Sequence, residues 1–190
     1  MDTILVVNAG SSSVKFQVFG IGQDSSLKRQ VKGQVDGIGS RPRLRVSGID
    51  SGVLVDRSYK HETVPDVAAA MATAGGWLRD DLRINPVAIG HRVVHGGPDY
   101  DRSVRVDQDV LAKLERYVSL APLHQPYNLA PIRSVLSRFP DITQVACFDT
   151  AFHRSHGDLA DRYAIPESLY AEGVRRYPCR RSRRILRQNG

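Results

Sequence analysis

Cysteine is scarce in this chain. Its 190 residues hold two, Cys147 in an apolar run and Cys179 in a basic stretch near the end. Such dissimilar neighbourhoods do not make a disulfide framework, and a reducing cytoplasm is the expected compartment. Long apolar runs are also missing. None approaches the roughly 20 residues that cross a bilayer as a helix, so no membrane partner is expected. The opening Met1-Asp2-Thr3-Ile4-Leu5-Val6-Val7 lacks the basic start and small-residue cleavage site of a signal peptide. Neither Gly-x4-Gly-Lys-Ser/Thr nor Gly-x-Gly-x-x-Gly occurs, which excludes the P-loop and the dinucleotide fingerprint. There is no internal repeat and no long linker. Trp77 and the scattered tyrosines read as packing residues.

Acidic residues are absent from one place in particular. The net charge is +7, but residues 178–190 carry Arg180, Arg181, Arg183, Arg184 and Arg187 and no acid, so residues 1–177 hold only +2. A basic stripe suited to nucleic acid is therefore a property of the tail alone. Binding by such a tail would be nonspecific and steeply salt-dependent, and no nucleic-acid partner is expected. The remainder is ordinary for a globular protein, with 41% hydrophobic and 25% charged residues.

The pattern along the chain is a run of strands followed by alternating helices and strands. Residues 3–8 form a short β-branched apolar run. Residues 14–19 alternate Val14, Phe16 and Val18 against Lys15 and Gln17, the period of a half-buried strand. A small-residue tip joins the two as a hairpin. Strands are expected at 28–35, 43–49 and 52–59, with Asp50-Ser51-Gly52 turning the last pair. Residues 64–82 read as an Ala-rich helix with Pro65 in its first turn and Gly75-Gly76 in its middle. A buried strand follows at 87–94, then helices at 110–120 and 129–139, and a buried strand at 143–148. This order indicates an α/β lobe.

Four loops carry residues suited to chemistry. The first is Asn8-Ala9-Gly10-Ser11-Ser12-Ser13-Val14-Lys15. A tight tip of Gly and Ser presents backbone N–H groups and hydroxyls that suit phosphate oxygens. Lys15 adds a point charge, and Asn8 a neutral oxygen for a hydrated metal. The plainer reading is a serine-rich turn beside a surface lysine. The second is Gly90-His91-Arg92-Val93-Val94-His95-Gly96-Gly97, a strand ending in a Gly pair where backbone can approach a ligand. Arg92 inside such a strand calls for an anionic partner, and its fork suits a carboxylate or a transferring phosphoryl group. His91 and His95 lack a nearby carboxylate or cysteine to complete a metal set; they read as structural histidines or phosphate donors.

The third loop is Ala121-Pro122-Leu123-His124-Gln125-Pro126-Tyr127-Asn128. It is either a helix start capped by Asn128 or a cleft wall bearing Leu123 and His124. The fourth is Cys147-Phe148-Asp149-Thr150-Ala151-Phe152-His153, an apolar strand running out into a carboxylate. Asp149 there could hold a metal, orient a nucleophile or cap the next turn. His153 and His156 read as surface residues.

These four segments, in this order, closely resemble the acetate kinase family of the actin-like and sugar-kinase superfamily, over Met1 to about Tyr177. The resemblance implies an actin-like, ribonuclease H-like α/β fold in two lobes, with ATP and Mg²⁺ (or Mn²⁺) in the cleft, and a homodimer. It implies residues 1–150 as the first lobe and 151–177 as the start of a second. By resemblance, Asn8 helps hold the metal, and Lys15, Ser11 and Ser13 belong to the ATP phosphate loop. Arg92 corresponds to the acetate-binding arginine, Val94 and Leu123 to the pocket for the methyl group, and His124 lies near the transferring phosphoryl. Asp149 matches the residue called the catalytic acid or base. Acetate is already ionised at neutral pH, so organising metal or water suits Asp149 better than removing a proton.

The resemblance breaks after Tyr177. The family continues into Gly-Phe-His-Gly, where this chain has Pro178-Cys179-Arg180-Arg181. The expected second lobe, with its adenosine site, is largely absent. The chain is then either an acetate kinase (with propionate or butyrate kinase as neighbours) or a non-catalytic lobe that binds a ligand or partner. The aperiodic tail reads as the product of a frame shift after Tyr177. Codons allowed for residues 184–189 can spell Tyr-Ile-Ala-Ala-Lys in a neighbouring frame, resembling the helix expected there. Resequencing the DNA from the codon of Tyr177 onward should restore Gly-Phe-His-Gly in an alternate frame; its absence from every frame would sink the idea.

Overall fold

The computed structural model of the chain describes residues 1–151 and 166–171, and the account that follows concerns these. Most of the expected second-lobe segment 151–177 lies outside them, as do Phe152, His153, His156 and the whole arginine-rich tail.

The first five strands form an antiparallel meander. β1 (Thr3–Ala9) and β2 (Ser13–Ile21) make the expected hairpin, with Val7 opposite Phe16 and Asn8 opposite Lys15. β3 (Leu27–Asp36), β4 (Arg43–Gly48) and β5 (Val53–Ser58) follow, each antiparallel to the last. Alternation decides the faces. Leu5, Val7, Ala9, Val14, Phe16, Val18, Val35, Leu44 and Val46 are all buried on one side.

Helix α1 (Val67–Asp80) begins later than the sequence suggested. Asp66 is its cap, the side chain accepting the Ala69 N–H at 2.8 Å. That carboxylate meets an otherwise unpaired N-terminal donor, so Pro65 stays outside the helix. Gly75 and Gly76 lie inside an unbroken helix. β6 (Ala88–Val93) then pairs parallel with β1. A two-residue strand, β7 (Val104–Arg105), has no counterpart among the expected elements, since two residues show no period. The helix expected at 110–120 is α2 (Gln108–Arg116), capped by Asp107, tightening into a 3-10 helix over Tyr117–Leu120. α3 (Gln125–Arg138) leads to β8 (Thr143–Phe148), parallel to β6, and α4 (Glu167–Ala171) stands apart in sequence.

The result is one eight-stranded sheet in the order β5-β4-β3-β2-β1-β6-β8-β7. An antiparallel meander feeds a parallel trio whose crossovers are helical, the mixed α/β lobe expected of an actin-like kinase. α1 packs on β2 and β3, α3 packs on β1 and β6, and α2 packs on α3. One core gathers under α1 around Val7, Val14 and Trp77; a second gathers under α2 and α3 around Val93, Leu114, Ile132 and Phe148. On the opposite face, Val6, Lys15, Lys32 and Arg45 are exposed among the described residues.

One polar pair sits inside the apolar side. His91 is 1% exposed, and its Nε2 lies 2.8 Å from Gln144 Oε1 across β6 and β8. An amide oxygen only accepts, so Nε2 carries the proton. Nδ1 is buried with no partner among the described residues. Burial pushes the His91 pKa down to about 4, against the weaker opposing pull of Gln144. The unfolded ring titrates near ~6.5. Between these values the unfolded chain binds the extra proton, so this contribution to stability is complete above about pH 6.5 and is lost as pH falls toward 4. The slope is at most about 1.4 kcal/mol per pH unit. Urea midpoints should therefore drop less from pH 7 to pH 5 in His91→Asn than in the native chain; equal drops would place the acid sensitivity elsewhere.

Candidate active site

Strands β1, β6 and β8 are parallel and neighbouring, so their carboxyl ends meet along one edge of the sheet. Ligand sites of α/β sheets form outside such ends. Val7 pairs with His91, which sets Asn8 level with Arg92. Asp149 follows β8 directly, and its backbone N–H donates to Val93 C=O at 3.0 Å. The three side chains meet. Arg92 Nε donates to Asp149 Oδ1 at 2.8 Å, Nη2 to Asp149 Oδ2 at 2.5 Å, and Nη1 to Asn8 Oδ1 at 3.1 Å. The anionic partner that Arg92 calls for is thus Asp149. Arg92 and Asp149 remain about one-third exposed, at 35% and 34% of their side chains.

The segment after β6 behaves differently from the sequence expectation. Its backbone is not offered outward. The N–H of Val94 donates to Asn128 Oδ1 at 2.9 Å, that of His95 to Gln125 Oε1 at 3.3 Å, that of Gly96 to Thr150 Oγ1 at 3.0 Å, and that of Gly97 to His95 Nδ1 at 2.8 Å. Four consecutive amides are each taken by a side chain. The Gly pair serves packing rather than ligand approach. A Cβ on Gly96 would lie 2.8 Å from Phe148 Cγ, and one on Gly97 would lie 2.3 Å from the Tyr117 ring at φ +62°.

Asn128 also does something other than expected. It does not cap α3; His124 holds the cap position, without a side-chain bond. Asn128 sits in the first turn, buried, with Nδ2 donating to Ala9 C=O at 2.6 Å while Oδ1 accepts from Val94. It therefore ties the ends of β1 and β6 together. Gln125 grips His95 on both sides, its Nε2 donating to His95 C=O at 2.9 Å. The sequence assigned no role to Gln125, Gln144 or Thr150. The available signal was the three-residue spacing of Gln125 and Asn128, which puts both amides on one face of a helix start.

The hairpin tip is tight, closed by Gly10 N–H donating to Ser13 C=O at 2.8 Å. Ser12 C=O accepts from Ile38 N–H at 3.3 Å, tying the tip to the loop after β3. Ser11 and Ser12 are exposed and Ser13 is half-buried. A Cβ on Gly10 would meet only Ser13 O at 3.8 Å, so no contact within the described residues requires glycine there. Asn8 and Lys15 line a common open cleft of about 610 Å³ with Gln17, Lys32, Gln34 and Arg45. Val94 is half-buried one residue past β6. Leu123 (76% exposed) and His124 stand exposed before α3, and neither lines that cleft.

The oxygens of Asn8 and Asp149 are hard ligands that fit Mg²⁺ or Mn²⁺, ions that retain water and share phosphates. No group of three or more His, Cys, Asp or Glu side chains suited to a metal exists among the described residues. His91 and His95 do not fit, being buried and engaged with Gln144 and Gly97.

The sequence model described as the acetokinase family matches residues 3–182. The chain belongs to the acetokinase family. It is 70% identical over 177 residues to an acetate kinase of Nitrobacter hamburgensis, covering 93% of this chain and 44% of that one. An acetate kinase of Rhizobium meliloti is 57% identical over 178 residues, covering 93% and 45%. Among solved structures, Porphyromonas gingivalis acetate kinase superposes with a TM-score of 0.79 at 32% identity, covering 93% of this chain and 45% of that one. A propionate kinase from Francisella tularensis superposes at 0.80 with 33% identity, covering 94% and 45%. This acetokinase-family chain thus spans under half the length of the relatives it matches. No helix among the described residues is long and apolar enough to cross a membrane.

Two substitutions test how the edge is built. Asn128→Ala leaves Ala9 C=O and Val94 N–H without partners and should cost about 2–4 kcal/mol in chemical denaturation. Gly97→Ala forces a side chain onto the Tyr117 ring at a left-handed φ and should cost about 1–3 kcal/mol. A loss below about 0.5 kcal/mol in either would show that the segment relaxes freely.

Proposed function

We propose that this chain is the acetate- and phosphate-handling part of an acetate kinase, which moves a phosphoryl group between ATP and acetate. One observation carries the reading: Arg92, Asp149 and Asn8 converge at the carboxyl ends of parallel strands, beside a Gly-Ser hairpin tip. In-line transfer to a carboxylate needs alignment and charge neutralisation more than proton removal. In this reading the Arg92 fork aligns acetate and offsets charge on the transferring group. The tip from Gly10 to Ser13, with Lys15, faces the ATP phosphates, and the bare Gly10 backbone leaves room for them. Asn8 and Asp149 hold Mg²⁺ or Mn²⁺, directly or through its waters; the cation, when bound, offsets phosphate charge. Val94 and Leu123 enclose the methyl group, and His124 donates toward the phosphoryl oxygens. A cytoplasmic homodimer accompanies this reading.

The first test is binding. ¹³C-acetate titrated with the purified chain and Mg²⁺ should show saturable exchange broadening that Arg92→Ala weakens by roughly tenfold or more. No saturable acetate binding by the native chain would overturn the assignment. Turnover by this chain alone should fall well below the ~1–10³ s⁻¹ range usual for enzymes, and turnover within that range would show that it needs no further lobe. The likeness to a propionate kinase supports a second acid. Propionate binding more tightly than acetate would move the assignment to that acid.

A further inference from the structure

The reading of the site as a cation-assisted carboxylate site leaves a conflict. The oxygens suited to the cation are Asn8 Oδ1 and Asp149 Oδ1 and Oδ2, and all three accept from the Arg92 guanidinium. The edge of Arg92 best shaped for a carboxylate, Nε with Nη2, is engaged by Asp149 in that same arrangement. Each group holds what the other's ligand requires. The pair is also electrically neutral, so it draws an anionic ligand weakly.

We propose that Arg92 and a divalent cation exchange on these oxygens, so that cation binding turns the Arg92 fork from Asp149 to a carboxylate ligand. Three features favour the exchange. The oxygens are hard donors of the kind that Mg²⁺ or Mn²⁺ binds while keeping several of its waters, and a guanidinium fork that leaves Asp149 finds an equivalent bidentate partner in a carboxylate from solution. Both side chains of the pair are about one-third exposed, so hydrated ions reach them without any opening of the core. The backbone around them is held: Asp149 N–H is bonded to Val93, and the amides of 94–97 are all taken by side chains. The movement is therefore confined to the Arg92 side chain, which swings between a carboxylate of its own chain and one from solution.

This rests on the functional reading above and adds an order to it. The cation and the carboxylate must favour one another's binding, each by the same factor. Mn²⁺ counted by electron paramagnetic resonance provides the test, independent of turnover. With chloride as the only anion, the native chain should bind Mn²⁺ weakly, and acetate at matched ionic strength should tighten it by about fivefold or more, the lower end of usual couplings between sites. Arg92→Gln should bind Mn²⁺ more tightly than the native chain in chloride and should not respond to acetate. Asp149→Asn should lose Mn²⁺. Native binding that ignores acetate, with no gain in Arg92→Gln, would overturn the exchange and leave the metal reading standing. Absence of Mn²⁺ binding in both the native chain and Arg92→Gln would overturn the exchange and the metal reading together. The native titration needs no variant, so a misfolded substitution does not decide the outcome.

Discussion

Parallel pairing of β1, β6 and β8 is the constraint on which the rest depends. Three strands running the same way bring their carboxyl ends to one edge. Asn8, Arg92 and Asp149 are separated by 84 and 57 residues along the chain from Arg92 to its two partners, yet one guanidinium spans them. Parallel strands need helical crossovers, and those crossovers supply α1 and α3, which bury one face. The other face then carries the polar side chains by simple alternation. Asn8, Lys15 and Arg92 point away from the helices because Val7, Phe16 and Val93 point toward them.

Rigidity at this edge comes from polar side chains spent on backbone. The first turn of α3 sends Gln125 and Asn128 into the ends of β1 and β6, and Thr150 reaches back from the end of β8. Buried amides need partners wherever the chain leaves regular structure, and here the partners come from two other segments. The loop is thus held as firmly as a strand without belonging to one. Deeper in the sheet, a bond between the side chains of His91 and Gln144 links β6 to β8.

Legibility in the sequence followed the strength of local signals. The alternation of Val14, Phe16 and Val18 announced β2, and a charged Arg92 within an apolar run announced an anionic partner. Asn8 and Arg92 lie in the last residues of their strands and Asp149 follows one, so each motif marks a strand's carboxyl end. What stayed hidden was set by tertiary context. β7 is two residues held by β8. At Tyr117, where α2 passes into the 3-10 helix, the ring lies against Gly97 of another segment. Asn128 beside a proline resembled a cap, and only the positions of Ala9 and Val94 show why it lies inside the turn. The Gly pair suggested ligand access, whereas the crowding that requires it comes from Phe148 and Tyr117. Leu123 and His124 stand exposed before α3 and do not line the cleft of Asn8 and Lys15.

The spent amides of residues 94–97 also limit how such a chain can drift over generations. Every residue there has an appointed acceptor, so inserting or deleting one would shift all the later donors off their partners. Length is thus frozen, and at Gly96 and Gly97 the absence of a side chain is fixed as well. Descendants of this chain inherit the length of the 94–97 segment unaltered.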